Sequence, residues 1–110
     1  MAITNTRLTT TTPTTVFEAV GQQAITTIYL CNTTGTDVSV NVFAINSDDS
    51  VGAAFENMIY NQILLTAGSG NIGDTYVIST ERLILDSGDL IDVEANIADC
   101  VTVTVSSIAI

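Results

Sequence analysis

Short runs in which apolar and polar residues alternate, separated by turn-forming residues, fill this chain from residue 16 to its end. Residues 37–45 (DVSVNVFAI) place Val38, Val40, Val42 and Ala44 on one side of an extended backbone, because successive side chains of a strand point to opposite faces. Residues 90–95 repeat the pattern, with Ile91, Val93 and Ala95 inward and Asp92 and Glu94 toward water. Residues 101–110 set Val101, Val103 and Val105 against Thr102, Thr104 and Ser106. Residues 24–32 (AITTIYLCN) form a β-branched run closed by Thr33-Thr34-Gly35, as strands prefer. Residues 16–20 and 58–65 predict further strands, and residues 74–85 (DTYVISTERLIL) predict one bent strand or two short ones around Ser79-Thr80. Between them lie Gly21-Gln22-Gln23, a polar loop over 46–57 with a helical turn at 53–57, a glycine-rich connection over 66–73 and the tight turn Asp86-Ser87-Gly88. Gly88 suits a left-handed position. No segment sustains a helical period. The expectation is an all-β fold, an antiparallel β-sandwich of about six to eight strands, immunoglobulin-like or jelly-roll.

The start of the chain reads differently. Residues 5–15 (NTRLTTTTPTT) are dominated by threonine around Pro13; Thr favours extended backbone and Pro cannot donate to a ladder. They predict an extended N-terminal arm over residues 1–15, ordered by lying along another polypeptide, ahead of one sandwich domain over residues 16–110; a frayed terminus is the alternative. The 110 residues suit a single domain, which buries roughly 65% of its extended-chain surface. No apolar run approaches the roughly 18 residues of a membrane span, and residues 1–15 lack the apolar stretch of a secretory signal.

Charge removes whole classes of function. Twelve acids face two bases, Arg7 and Arg82, with no His and a net charge of −10. Two arginines cannot supply the basic stripe that nucleic acids or anionic membranes require. Without His, every Ser-His-Asp or Cys-His arrangement is missing. The expectation is no enzyme, no cofactor, no nucleic acid and no membrane.

The remaining chemical motifs are weak. Gly68-Ser69-Gly70-Asn71-Ile72-Gly73 matches the dinucleotide fingerprint in letters, but that motif needs a helix after it and here a strand follows. Asp48-Asp49, Asp74, Asp86 and Asp89 are turn acids; solvation accounts for them, with a calcium or magnesium site the alternative. With no Trp, three Tyr and three Phe, a sugar-stacking cleft is poorly stocked. Cys31 and Cys100 lack zinc-ligand spacing and read as reduced thiols or one cross-strand bridge. What stands out is surplus hydrophobicity. Ile28 and Leu30 oppose Tyr29 and Cys31, Val42 opposes Phe43, and Leu83 and Leu85 oppose Ile84. Apolar residues on both faces point to an outer surface covered by another chain, with ordinary exposed apolar residues and a different strand register the alternative. Tyr29, Phe43, Ile84, Ile108 and Ile110 are the outward candidates.

The strings ITTIYLCNTTGTDVSVNVFAI, NMIYNQILLTAG, GDTYVISTERLILDSGDLIDVEA and VTVTVSSIAI resemble small all-β virion structural proteins of tailed bacteriophages, of the marine and cyanobacterial type. The likeness rests on the Thr-rich opening, the Cys31-Asn32 strand end and the turn Leu85-Asp86-Ser87-Gly88-Asp89-Leu90-Ile91. It implies a virion component on head or tail; the expectation taken from it is a chain, assembled in the host cytoplasm, that decorates or cements the capsid as a symmetric oligomer. Its partners would be other virion proteins, the major capsid protein first, and copies of itself. A tail, neck or fibre-attachment component is the alternative, and a sugar- or calcium-binding adhesion module a more distant one. On this reading Arg7, Leu8, Thr10, Thr12 and Pro13 of the arm contact a partner, with Arg7 pairing an acid on a neighbour, while Arg82 pairs within the chain.

Overall fold

The computed structural model describes residues 2–48, 52–67, 75–79 and 83–110, apart from the side chain of Phe55. Along them run β1 (Ala2–Arg7), β2 (Thr14–Glu18), β3 (Gln23–Asn32), β4 (Val38–Ile45), a 3-10 turn (Phe55–Asn57), β5 (Met58–Leu65), β6 (Thr75–Ile78), β7 (Leu83–Leu85), β8 (Leu90–Ala95) and β9 (Val101–Ala109). The strand expected over 74–85 is two short ones, β6 and β7; residues 80–82 lie outside the described residues.

Pairing is nested like one long hairpin. β4 pairs with β5, β3 with β6 and β7, β2 with β8, and β1 with β9, all antiparallel. The hairpin then rolls up, because β9 also pairs with β3 and β8 with β4. The result is a first sheet ordered β1-β9-β3-β6, with β7 also on β3, and a second ordered β2-β8-β4-β5. This is jelly-roll connectivity, and it settles the choice against an immunoglobulin-like arrangement.

The predicted inward faces meet between the sheets. Val101, Val103 and Val105 of β9 and Val38, Val40 and Val42 of β4 are all fully buried, and join Leu30, Leu65, Ile91, Val93 and Ala95 in one core. At one end the core is closed by Asn32, 2% exposed. Its Nδ2 donates to Thr36 O (2.7 Å) and Leu65 O (3.1 Å), and its Oδ1 accepts from Thr34 N and Thr34 Oγ1. One amide therefore shapes the β3–β4 turn and links the first sheet to β5 of the second. At the other end Gly88 adopts φ +92°, and a Cβ there would lie 3.1 Å from Ser47 Cβ; both conditions favour glycine.

The expected arm is corrected. Ala2 to Arg7 lie in register with Ser107 to Thr102 of β9. The ladder runs on through Leu8, whose N–H donates to Val101 O and whose carbonyl accepts from Asp99 N. The Leu8 side chain is buried in the core, so it is no partner contact. The reason is the accounting of backbone groups: without β1, β9 would present an unpaired edge. Only the exposed Thr9–Pro13 link between β1 and β2 resembles the segment foreseen.

Two substitutions test this packing. Asn32→Ala should cost about 3 kcal/mol in urea unfolding, since it strands buried carbonyl and amide groups. Ser107, fully buried and facing Ile25, has a hydroxyl with no partner among the described residues. Ser107→Ala should therefore raise stability by about 1 kcal/mol; a loss would mean the hydroxyl is satisfied.

Candidate interaction surface

The two sheets present very different outer faces. Strand registers fix which residues of the first sheet point out: Arg7, Asn5 and Ile3 on β1, Thr102, Thr104, Ser106 and Ile108 on β9, Cys31, Tyr29, Thr27 and Ala24 on β3, with Thr75, Val77 and Ile84 beyond. Among the described residues this face carries no acid. Tyr29 sits in register between Val77 and Thr104, and Ala24 between Ile84 and Ile108. Tyr29, Val77 and Ile84 are 41%, 46% and 61% exposed. They make two apolar patches, Tyr29 with Val77 and Ala24 with Ile84 and Ile108, separated by the paired Thr27 and Ser106 and set in Thr and Ser.

Arg7 is the one charged side chain described on that face, and it is already engaged. Its Nη2 donates to Asp99 O at 2.6 Å, and its Nε lies 3.9 Å from Asp99 Oδ1. The acid beside it belongs to its own chain, because the β1–β9 ladder brings residue 7 beside the turn before β9. Arg82 lies outside the described residues.

The second sheet holds acids on its outer face. Glu18, Asp92 and Glu94 point outward there. Asp92, expected in water, is only 9% exposed and accepts from Thr15 Oγ1 at 2.7 Å. Glu94 Oε1 accepts from Asn41 Nδ2 at 2.9 Å, while Asn41 Oδ1 takes the Gln62 N–H at 2.7 Å. That contact pins the irregular register of β5, where Gln62 has φ 55°.

Phe43 is the second correction. It does point to the outside of its sheet, beside Asp92 and Met58, yet it is 3% exposed. It borders an open cleft of about 500 Å³ that is also lined by Ala53, Ala54 and Met58. The chain's own β4–β5 connection therefore covers it, with no second subunit needed. Of the other outward candidates, Tyr29, Ile84 and Ile110 are exposed and Ile108 is half-buried. Thr10, Thr12 and Pro13 are exposed, with Thr10 and Thr12 hydrogen-bonded to each other at 2.9 Å. Val77 was not singled out, although Tyr76-Val77-Ile78 is apolar on both faces as Leu83-Ile84-Leu85 is; its register with Tyr29 places it on this face.

The turn acids serve the backbone. Asp89 Oδ1 accepts from Ser47 N (2.9 Å) and Oδ2 from Asp86 N (3.0 Å), while Asp89 O accepts from Ala19 N (3.0 Å). One residue thus joins three connections at this end of the sandwich. Among the described residues no three His, Cys, Asp or Glu side chains are placed to hold a metal ion. Asp49, Asp74 and the 68–73 glycine run lie outside the description. Cys31, on the neutral face, and Cys100, buried, are free thiols.

A scan against protein-family models found no match, and searches of curated proteins and of solved structures found none either.

The bonds from Ser47 and Asp86 favour the charged carboxylate and hold Asp89 below its ordinary 3.8. A depressed value means stability that is present above pH 3.8 and lost as pH falls through the folded-state value. Asp89→Asn should therefore be less stable than wild type at neutral pH. The gap should close on acidification below pH 3.8, in urea unfolding curves at stepped pH; a gap independent of pH would show that the carboxylate charge does not matter.

Proposed function

We propose that this chain is a non-enzymatic structural component of a tailed-phage virion that decorates the capsid, attaching through the neutral outer face of its first sheet. The observation that carries this reading is the segregation of charge. A chain of net charge −10 keeps one whole sheet face free of acids among its described residues and lines it with Tyr29, Val77, Ile84 and Ile108. A face that functions only in water has no need of such exposed apolar patches, whereas protein contacts are built from aromatic and aliphatic cores with polar rims. The acid-bearing second sheet can then face solvent, where negative charge maintains solubility.

The resemblance in residues 25–45, 57–68, 73–95 and 101–110 to phage virion proteins points to the same class. Attachment by an N-terminal arm drops out of the reading, since β1 completes the first sheet of its own chain. The attachment it predicts is apolar and neutral, which sets its response to salt.

Purified particles of the phage that encodes the chain test this directly. Mass spectrometry should find it at a copy number that tracks the major capsid protein, and gold-labelled antibody should mark the head. Roughly 1 M salt, which shortens the screening length to about 3 Å, should leave it bound, while mild detergent or low urea should release it. Absence from particles overturns the reading; labelling of the tail moves it to the tail; elution by salt alone replaces the neutral contact with an ionic one.

A further inference from the structure

We infer that the cleft on the outer face of the second sheet takes an arginine side chain presented by an extended basic segment of a partner protein. This cleft and the neutral face of the first sheet belong to opposite sheets, so one can be filled while the other is covered.

The cleft lies where β4, β5 and β8 meet the connection that precedes β5, and its volume is about 500 Å³. Ordinary ligand pockets span roughly 300–1,000 Å³. Phe43 and Met58 supply apolar surface from the sheet and Ala54 from the connection, while Glu94 of β8 and Glu56 of the 3-10 turn bring two carboxylates. None of the described residues lining it is a base, so an anion meets only repulsion there.

Glu94 is held in place before any ligand arrives. Its Oε1 accepts from Asn41 Nδ2 at 2.9 Å, and Asn41 Oδ1 in turn accepts the Gln62 N–H at 2.7 Å. Glu94 cannot swing away without breaking a bond to an amide that also fixes β5. Such preorganisation lowers the cost of binding. Oε2 of Glu94 is left as an unspent acceptor, and Glu56, Asn61 and Gln62 add further oxygens around the same space.

Charge and shape together select the occupant. Calcium takes six to eight oxygens, and among the described residues no three His, Cys, Asp or Glu side chains are placed to hold a metal ion. A sugar needs an aromatic face to lie on, but the Phe43 ring is 3% exposed and offers none. An arginine meets both halves of the lining. Its methylene stem can cover Met58 and Ala54, and its planar guanidinium carries five N–H donors for carboxylate and amide oxygens. The ammonium of lysine is a compact, more strongly hydrated charge with three donors, so it gains less on leaving water. Because the cleft is open rather than enclosed, an extended chain can pass over it and insert the side chain.

Fluorescence anisotropy on the full chain tests the inference, with fluorescein-labelled Gly-Arg-Gly-Arg-Gly amide as the probe. Wild type should bind it, and the same peptide with citrulline for arginine, equal in shape but uncharged, should bind about tenfold more weakly or worse. The lysine peptide should fall between the two. Glu94→Gln keeps an oxygen for Asn41 and Glu56→Gln alters an exposed side chain, yet each should weaken binding about tenfold. Glu18→Gln, which removes the same charge from the far edge of the second sheet, should behave as wild type. Ala54→Trp fills the cleft without changing charge and should abolish binding, with circular dichroism checking that each variant folds. Equal losses in Glu18→Gln and Glu94→Gln would reduce the effect to net charge and overturn the inference, as would equal binding of the arginine and citrulline peptides. A cleft that ignores the peptides but binds calcium or maltotriose in titration calorimetry, with Glu94→Gln abolishing that binding, overturns it as well. Peptide binding by a chain absent from particles would sink the virion reading alone; a virion component whose cleft ignores the peptides would sink the cleft reading alone.

Discussion

Everything in this molecule follows from two stacks of valines that must be removed from water together. Val101, Val103 and Val105 on β9 and Val38, Val40 and Val42 on β4 belong to different sheets, and none is accessible to solvent. Neither strand can bury its stack alone, so β9 is flanked by β1 and β3 and β4 by β5 and β8. Strands far apart in sequence are thereby held side by side. Period two then dictates the outside: once Val103 points in, Thr104 points out, and the same parity carries Tyr29 and Ile84 to the surface.

The closing devices at the two ends are polar and economical. Asn32 uses both ends of its amide to shape one turn and to reach β5 across the core. Asp89 does the equivalent at the opposite end, where Gly88 supplies a backbone conformation that a side chain would resist. In the Leu85-to-Ile91 turn, Leu85 and Ile91 are core residues while Gly88 and Asp89 make the corner. The spacing of that motif is thus a structural requirement. With the described acids committed to the second sheet and to the turns, the described part of the first sheet presents a neutral outer face.

Much of this was legible in the chain. The boundaries of β8 and the inward parity of β4, β8 and β9 follow from alternation, because burial on one face leaves a period-two trace; the bounds of β5 were legible from its apolar run alone. The left-handed Gly88 and the helical turn before Met58 were equally readable. What alternation cannot show is where a strand's partner lies. β1 contains no buried side chain and declares itself only through its register with β9, some hundred residues away. Leu8 in a threonine tract looks like part of an arm until that ladder carries it into the core. Phe43 has outward parity, yet its burial depends on a connection folding back over the sheet. Arg7 found a partner in its own chain for the same long-range reason. Of the apolar residues on the neutral face, Tyr29, Ile84 and Ile108 were singled out as surplus apolar residues, and Val77 was not.

Hydroxyl-radical footprinting of intact particles tests most directly whether the neutral face is the contact surface. Tyr29 and Leu64 lie on opposite sheets and are 41% and 59% exposed in the single chain. With each rate normalised to the same residue in the urea-unfolded chain, Tyr29 should be protected in the particle at least tenfold more than Leu64. Equal protection of the two, or a Tyr29 that reacts as its exposure in the single chain dictates, would contradict the account.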